Sequence, residues 1–226
     1  MKVIVFGGTG MVGSEVLQLC LGAPEISQVV TIGRHLTGLT HPKLTEVGHQ
    51  DFTNFTVVEK VLADADICYY CVGVYQGQVS KELFWQVTVG YLEALLASLE
   101  KVNPNIRFCL FSGRSASPSE RLPGMYPRAK GRAEVKLNAS SLKGKYIFRP
   151  GIIAPGKVAS KKTISTRLFE PIYKMLPFLG IDAPDLAKVM VWTGLAGGAD
   201  KVLENGKMRK LSRLPLSNFL QQVRSQ

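Results

Sequence analysis

The most constraining feature is a glycine turn near the start of the chain. Lys2 to Phe6 is a short, mostly apolar run rich in β-branched residues, and it stops at Gly7-Gly8-Thr9-Gly10-Met11-Val12-Gly13. That is G-x-x-G-x-x-G between a strand and the helical spacing of Val16, Leu17, Cys20 and Leu21 over Ser14 to Leu21. Each glycine has a physical task. The first turns the chain off the strand, the second lets backbone amides approach a pyrophosphate, and the third lets the helix pack closely. The helix N-terminus then offers free N–H groups and the positive end of its dipole to phosphates. The turn therefore predicts a dinucleotide site built from Gly7, Thr9, Gly10, Met11, Val12 and Gly13.

The rest of the chain alternates strand and helix. Strands are expected at Gln28 to Ile32, Leu44 to Val47, Asp66 to Val72, Arg107 to Phe111 and Lys145 to Arg149. Helices are expected at Val57 to Leu62, with Thr53 or Asn54 as cap, within Phe84 to Val102, and at Tyr126 to Leu137. This alternation predicts an α/β fold of Rossmann type, a doubly wound parallel sheet with helices on both faces. After Pro155 the pattern loosens. Ile164 to Leu176, Asp185 to Ala196 and Leu216 to Val223 read as helices, and Gly206 to Leu211 as a short strand. The expected organisation is one domain over residues 1–226. Residues 1–156 form its nucleotide-binding core, and residues 157–226 form a small substrate-side lobe on the same core.

Cofactor choice is read at the end of the second strand, where an acid would hold the ribose 2′-hydroxyl of NAD. The strand here ends in Gly33-Arg34-His35 with no acid. A guanidinium is a planar fork suited to phosphate, so Arg34 is expected to hold the 2′-phosphate of NADP(H), on one rim with Thr9.

Tyr126-Pro127-Arg128-Ala129-Lys130 is Y-x-x-x-K, which on a helix puts phenol and ammonium on one face. A nearby ammonium favours phenolate and lowers the tyrosine pKa. Such a phenol can exchange a proton with a carbonyl or alcohol oxygen while hydride moves at a nicotinamide. Ser112, at the end of the fifth strand, is the first choice for a hydroxyl that orients the substrate, and Ser115 the second.

These residues resemble the short-chain dehydrogenase/reductase superfamily in its atypical branch. Gly7, Gly10, Gly13, Arg34, Tyr126 and Lys130 carry the likeness. The stretches Leu110-Phe111-Ser112, Tyr126 to Glu134 and Phe148-Arg149-Pro150-Gly151 are similar to the Tat-interacting oxidoreductase proteins and their bacterial relatives. The resemblance implies NADPH as cofactor and Tyr126 and Lys130 as the catalytic pair, with Lys130 also reaching the nicotinamide ribose. It implies Pro150, Gly151 and Ile152 beside the nicotinamide, and Val72 and Gly73 beside the central ribose. The chain departs in one place: many members have two adjacent serines after the fifth strand, where this chain has Ser112-Gly113.

The expected activity is an NADP(H)-dependent oxidoreductase acting on a small carbonyl or alcohol. Two alternatives stay open: an NmrA-like regulator that senses NADP(H) without catalysis, and a sugar epimerase or dehydratase on the same fold. The latter would usually want a larger substrate domain. The composition, 46% hydrophobic and 20% charged, is that of a soluble globular protein. No apolar run reaches the roughly 18 residues of a membrane span, and the N-terminal run is too short for a signal peptide, so a cytoplasmic location is expected. The net charge of +11 reads as a solvated basic surface or an anion-binding rim rather than a nucleic-acid site. A protein partner and the oligomeric state are left open. Cys68 and Cys71 form a C-x-x-C inside a strand, where residues three apart face opposite ways, so buried thiols and no metal are expected.

Overall fold

The computed structural model describes residues 1–156, 176–199 and 201–224. Seven parallel strands form the main sheet, in the order β3-β2-β1-β4-β5-β6-β9. They are β1 (Lys2–Phe6), β2 (Gln28–Gly33), β3 (Leu44–Gly48), β4 (Ile67–Tyr70), β5 (Arg107–Phe111), β6 (Gly144–Arg149) and β9 (Lys201–Glu204). A separate two-stranded parallel ladder joins β7 (Ile152–Ala154) to β8 (Gly180–Asp182). The chain order reverses between β1, which leads out to β2 and β3, and β4, which leads the other way. Doubly wound sheets bind ligands at such a switch point.

Strand β1 shows why the sheet is covered on both sides. Val3, Ile4, Val5 and Phe6 are all fully buried, as a strand between two helical layers requires. Val3 and Val5 join one core with Val16 and Leu17 of α1 (Met11–Gly22). Ile4 and Phe6 join the other, with Leu92, Leu95 and Leu99 of α4 (Tyr91–Val102). Cys68 lies in the second core and Cys71 packs against the first, so the C-x-x-C is split across the sheet. All four cysteines are free thiols.

Helix α2 is short (Glu59–Leu62), preceded by a tight turn at Thr56–Val58. The helix expected within Phe84 to Val102 begins earlier. Ser80 caps α3 (Lys81–Trp85) by accepting from the Leu83 amide at 3.2 Å. A wide π turn, Gln86–Gly90, then leads into α4. Helix α5 runs Met125–Ala139.

One element is corrected. Gly206 to Leu211 is not a strand but lies in α7 (Asn205–Ser212), whose Met208 and Leu211 are buried at helical spacing. The strand beside β6 is β9, just before it. Only Leu203 of its four residues is buried, so its apolar signal is faint. Helix α6 (Ala183–Ala196) sends Leu186, Val189 and Met190 into the core that holds α1, and α8 (Leu216–Arg224) adds Phe219. The helix expected over 164–176 falls almost wholly outside the described residues. Among the described residues no helix is long and apolar enough to cross a membrane.

Candidate active site

The glycine turn closes between β1 and α1. The Gly10 amide donates to the Gly7 carbonyl at 2.9 Å, and the Ser14 amide to the Gly10 carbonyl at 2.9 Å. A Cβ at Gly13 would collide with the Gly7 carbonyl oxygen, so only glycine lets the helix come this close. Helix α1 starts at Met11 and has no side-chain cap. Its first-turn amides, those of Met11, Val12 and Gly13, therefore stand at an uncapped N-terminus.

A cleft at the switch point is lined by Gly7 to Gly10, Thr31 to His35, Thr37, Phe52, Cys71 to Val74, Val87 and Tyr91. It unites Gly7, Thr9, Gly10, Arg34, Val72 and Gly73 of the expected cofactor residues. Arg34 is exposed, with no ion pair among the described residues. Its carbonyl accepts from Gln50 Nε2 at 2.8 Å, which fixes the backbone there. Thr37 was not foreseen. Its amide and hydroxyl both donate to Glu46 Oε1 at 2.6 Å, anchoring the loop after β2 to β3. Partial burial works against the Glu46 charge, but the Thr37 hydrogen bonds prevail and hold its carboxyl below the usual range.

Ser112, Tyr126, Lys130 and Pro150 to Ile152 lie in the segments after β5 and β6. Lys130 joins this group to the cleft. It interacts electrostatically with the Cys71 thiol, and Cys71 lines the cleft. The Lys130 ammonium is buried, donates to the Phe111 carbonyl at 3.3 Å and lies over the Phe111 ring. Burial pushes its pKa down to about 8, against the pull of Glu134 and Cys71.

The Tyr126 phenol departs from expectation. Its pKa is raised, first by burial and then by the Tyr75 phenol, rather than lowered by Lys130. Lys130 faces Phe111 and Cys71, so its charge acts there. The Tyr126 hydroxyl fills the space where a side chain at position 113 would begin. The glycine that replaces the second serine is what lets the phenol sit there.

Ser112 is 1% exposed, and its hydroxyl donates to Glu134 Oε1 at 2.6 Å. Its proton is directed into the protein, not into a substrate space. Ser115, the second choice, is exposed. Glu134 is fully buried and also takes the Nε of Arg149 at 2.9 Å, with Nη2 on its other oxygen. Arg149 Nη1 continues to Glu204 at 2.9 Å. The segment after β6 is pinned as well. The Pro150 carbonyl accepts from the Arg114 amide at 2.8 Å. The Gly151 amide donates to Asn205 Oδ1 at 2.9 Å, and Asn205 Nδ2 donates to the Phe178 and Gly180 carbonyls. Ile152 opens β7, paired with Gly180. Among the described residues no cluster of His, Cys, Asp or Glu could hold a metal ion.

The NAD dependent epimerase/dehydratase family model matches residues 3–128. Over 154 residues the chain is 26% identical to the protein HTATIP2 of Rattus norvegicus, a match that takes in 67% of this chain and 62% of the rat protein. It is 23% identical to the protein FMP52-1, mitochondrial, of Scheffersomyces stipitis, over 95% of this chain and 98% of that one. The enzyme WbmH of Bordetella bronchiseptica, solved with NAD+, shares the fold at a TM-score of 0.69 and 18% identity, covering 93% of this chain and 79% of that one. With more than half of its length matched, including the glycine turn and Tyr126, the chain belongs to the NAD dependent epimerase/dehydratase family.

Proposed function

We propose that the chain binds NADP(H) along the switch-point cleft and reduces a small carbonyl compound, with Tyr126 as proton donor. The observation that carries this reading is the Tyr126 phenol, half-buried and kept protonated, on the same helix as the Lys130 that joins it to the cofactor cleft. The amides of Met11 to Gly13 would hold the pyrophosphate, Arg34 the 2′-phosphate, Val72 and Gly73 the central ribose, and Pro150 to Ile152 the nicotinamide. The bound nicotinamide supplies the hydride. Tyr126 gives its hydroxyl proton to the substrate oxygen as the carbonyl carbon is reduced. Lys130, charged below about pH 8, reaches the nicotinamide ribose. Ser112 supports this arrangement through Glu134. Tyr126 packs against the apolar cluster of Phe84, Val89 and Ala129, as do Val74, Val79, Trp85 and Met125, a setting that suits an apolar substituent better than the charged diphosphate of a nucleotide sugar.

The test is Tyr126→Phe, assayed by NADPH oxidation against a panel of aldehydes and ketones. Turnover should fall by about 10²–10⁴-fold, the usual worth of a positioned acid, with NADPH affinity unchanged. Equal turnover by both proteins would remove Tyr126 from the mechanism. One observation favours a second reading, an NADP(H) sensor: Ser112 and Lys130 are directed to protein partners. NADPH binding with no turnover of any compound, together with a change in a protein interaction, would select it.

A further inference from the structure

We propose that Glu134 is a positioning residue for the reaction end: its buried carboxylate locks Ser112 and Arg149 together one helical turn from Lys130. The proposal rests on reading Tyr126 and Lys130 as the reaction pair, and adds a residue that stands behind them.

A carboxylate with no exposed surface stays charged only if its partners replace water. Both Glu134 oxygens are used. Oε1 takes the Ser112 hydroxyl at 2.6 Å and Arg149 Nε at 2.9 Å, and Oε2 takes Arg149 Nη2. Arg149 also holds Glu204 at the end of β9. The C-terminal ends of β5 and β6 are thus tied through one side chain of α5, and Arg149 extends the tie to β9. Each tie meets the proposed reaction end. Arg149 directly precedes Pro150 and Gly151, and Lys130 lies one helical turn before Glu134, on the same face. A packed apolar pair would stabilise this spot at least as well as a buried ion pair. An apolar pair could not support a cation at Lys130, where burial opposes the charge and Glu134 counters it.

The experiment measures unfolding of the ligand-free protein against that of Lys130→Met from about pH 6 to 11. The folded Lys130 pKa of about 8 lies below its ordinary 10.5, so below about pH 8 the folded state carries the full cost of a buried ammonium. Lys130→Met should be the more stable protein there. Its advantage should shrink as pH rises from about 8 to 10.5, where the folded state has lost the proton and the unfolded state has not. The same comparison is then made in a Glu134→Gln background. Loss of the neighbouring negative charge should move the pH at which the advantage starts to shrink downward by about one unit or more. Glu134→Gln leaves Arg149 short of a partner, so the series is repeated with Glu134→Gln/Arg149→Met, which removes both charges. NADPH affinity is measured alongside, and Glu134→Gln should weaken it by about tenfold. A break that stays near pH 8 in a folded background, or an unchanged NADPH affinity, overturns the proposal. If the native protein binds no NADPH, the cofactor reading fails instead, and the titration alone decides whether Glu134 sustains Lys130.

Discussion

The two ends of the site are built on opposite plans. The proposed phosphate end offers backbone: the turn from Gly7 to Gly13 and an uncapped helix start at Met11, with an exposed Arg34 beside them. The reaction end is made of side chains that already have partners. Ser112 and Arg149 are on Glu134, Lys130 is on the Phe111 carbonyl, and Asn205 is on Gly151. An open end gains contacts when an anion arrives, because amides at a helix start otherwise face water. A satisfied end gains rigidity instead, since its groups are held before any substrate enters. Most of the affinity should therefore be decided at the first end, and orientation at the second.

The largest expected effect is at Gly13. In Gly13→Val the new side chain meets the Gly7 carbonyl, which is backbone and cannot turn aside. NADPH affinity should drop by about a hundredfold or more. The melting temperature should also fall, since overpacking costs about 1–3 kcal/mol. Intact affinity in calorimetry would break the claim that the close helix start seats the phosphates. Next is Arg34→Ala, which should weaken NADPH binding by about ten- to a hundredfold and leave NADH alone, as expected for one lost charge-assisted contact. A native protein that binds both nucleotides equally would end the case for a 2′-phosphate site. Smallest is Ser112→Ala, which sharpens the contrast. It should cost about 1–1.5 kcal/mol of stability through the lost bond to Glu134, or roughly 2–6 °C, with NADPH affinity preserved. Full stability together with a large loss of turnover would mean that the hydroxyl serves a substrate after all.

The same contrast governs what could be read from residues alone. The geometry of the proposed phosphate end was legible because its demands are local: a turn, a helix start and a strand end follow one another within residues 2–34. The strands β1, β2 and β5 and helix α5 were found for the same reason, since buried apolar periodicity needs no partner to be seen. The partners of the reaction end lie far apart in the chain. Glu134 meets Ser112 across 22 residues and Arg149 across 15, and Asn205 meets Gly151 across 54. One signal was available. Glu134 stands between Ala133 and Leu137 on a buried face, four residues after Lys130, and an acid placed there requires a partner. The Thr37–Glu46 anchor left no comparable trace. Strand β9 escaped because an edge strand with one buried residue of four hardly alternates, and α7 was misread from the short run that follows.

The tether from Asn205 also sets an order of assembly. A nascent chain emerges from its N-terminus, so the glycine turn and β1 to β6 leave the ribosome long before residue 205. Gly151 waits for an acceptor that is translated 54 positions later, and Arg149 waits for Glu204. A half-made chain would hold the glycine turn but lack the ties that fix the segment after β6. Under the proposed reading, competence for chemistry would therefore arrive last, with α7, after the glycine turn is already in place.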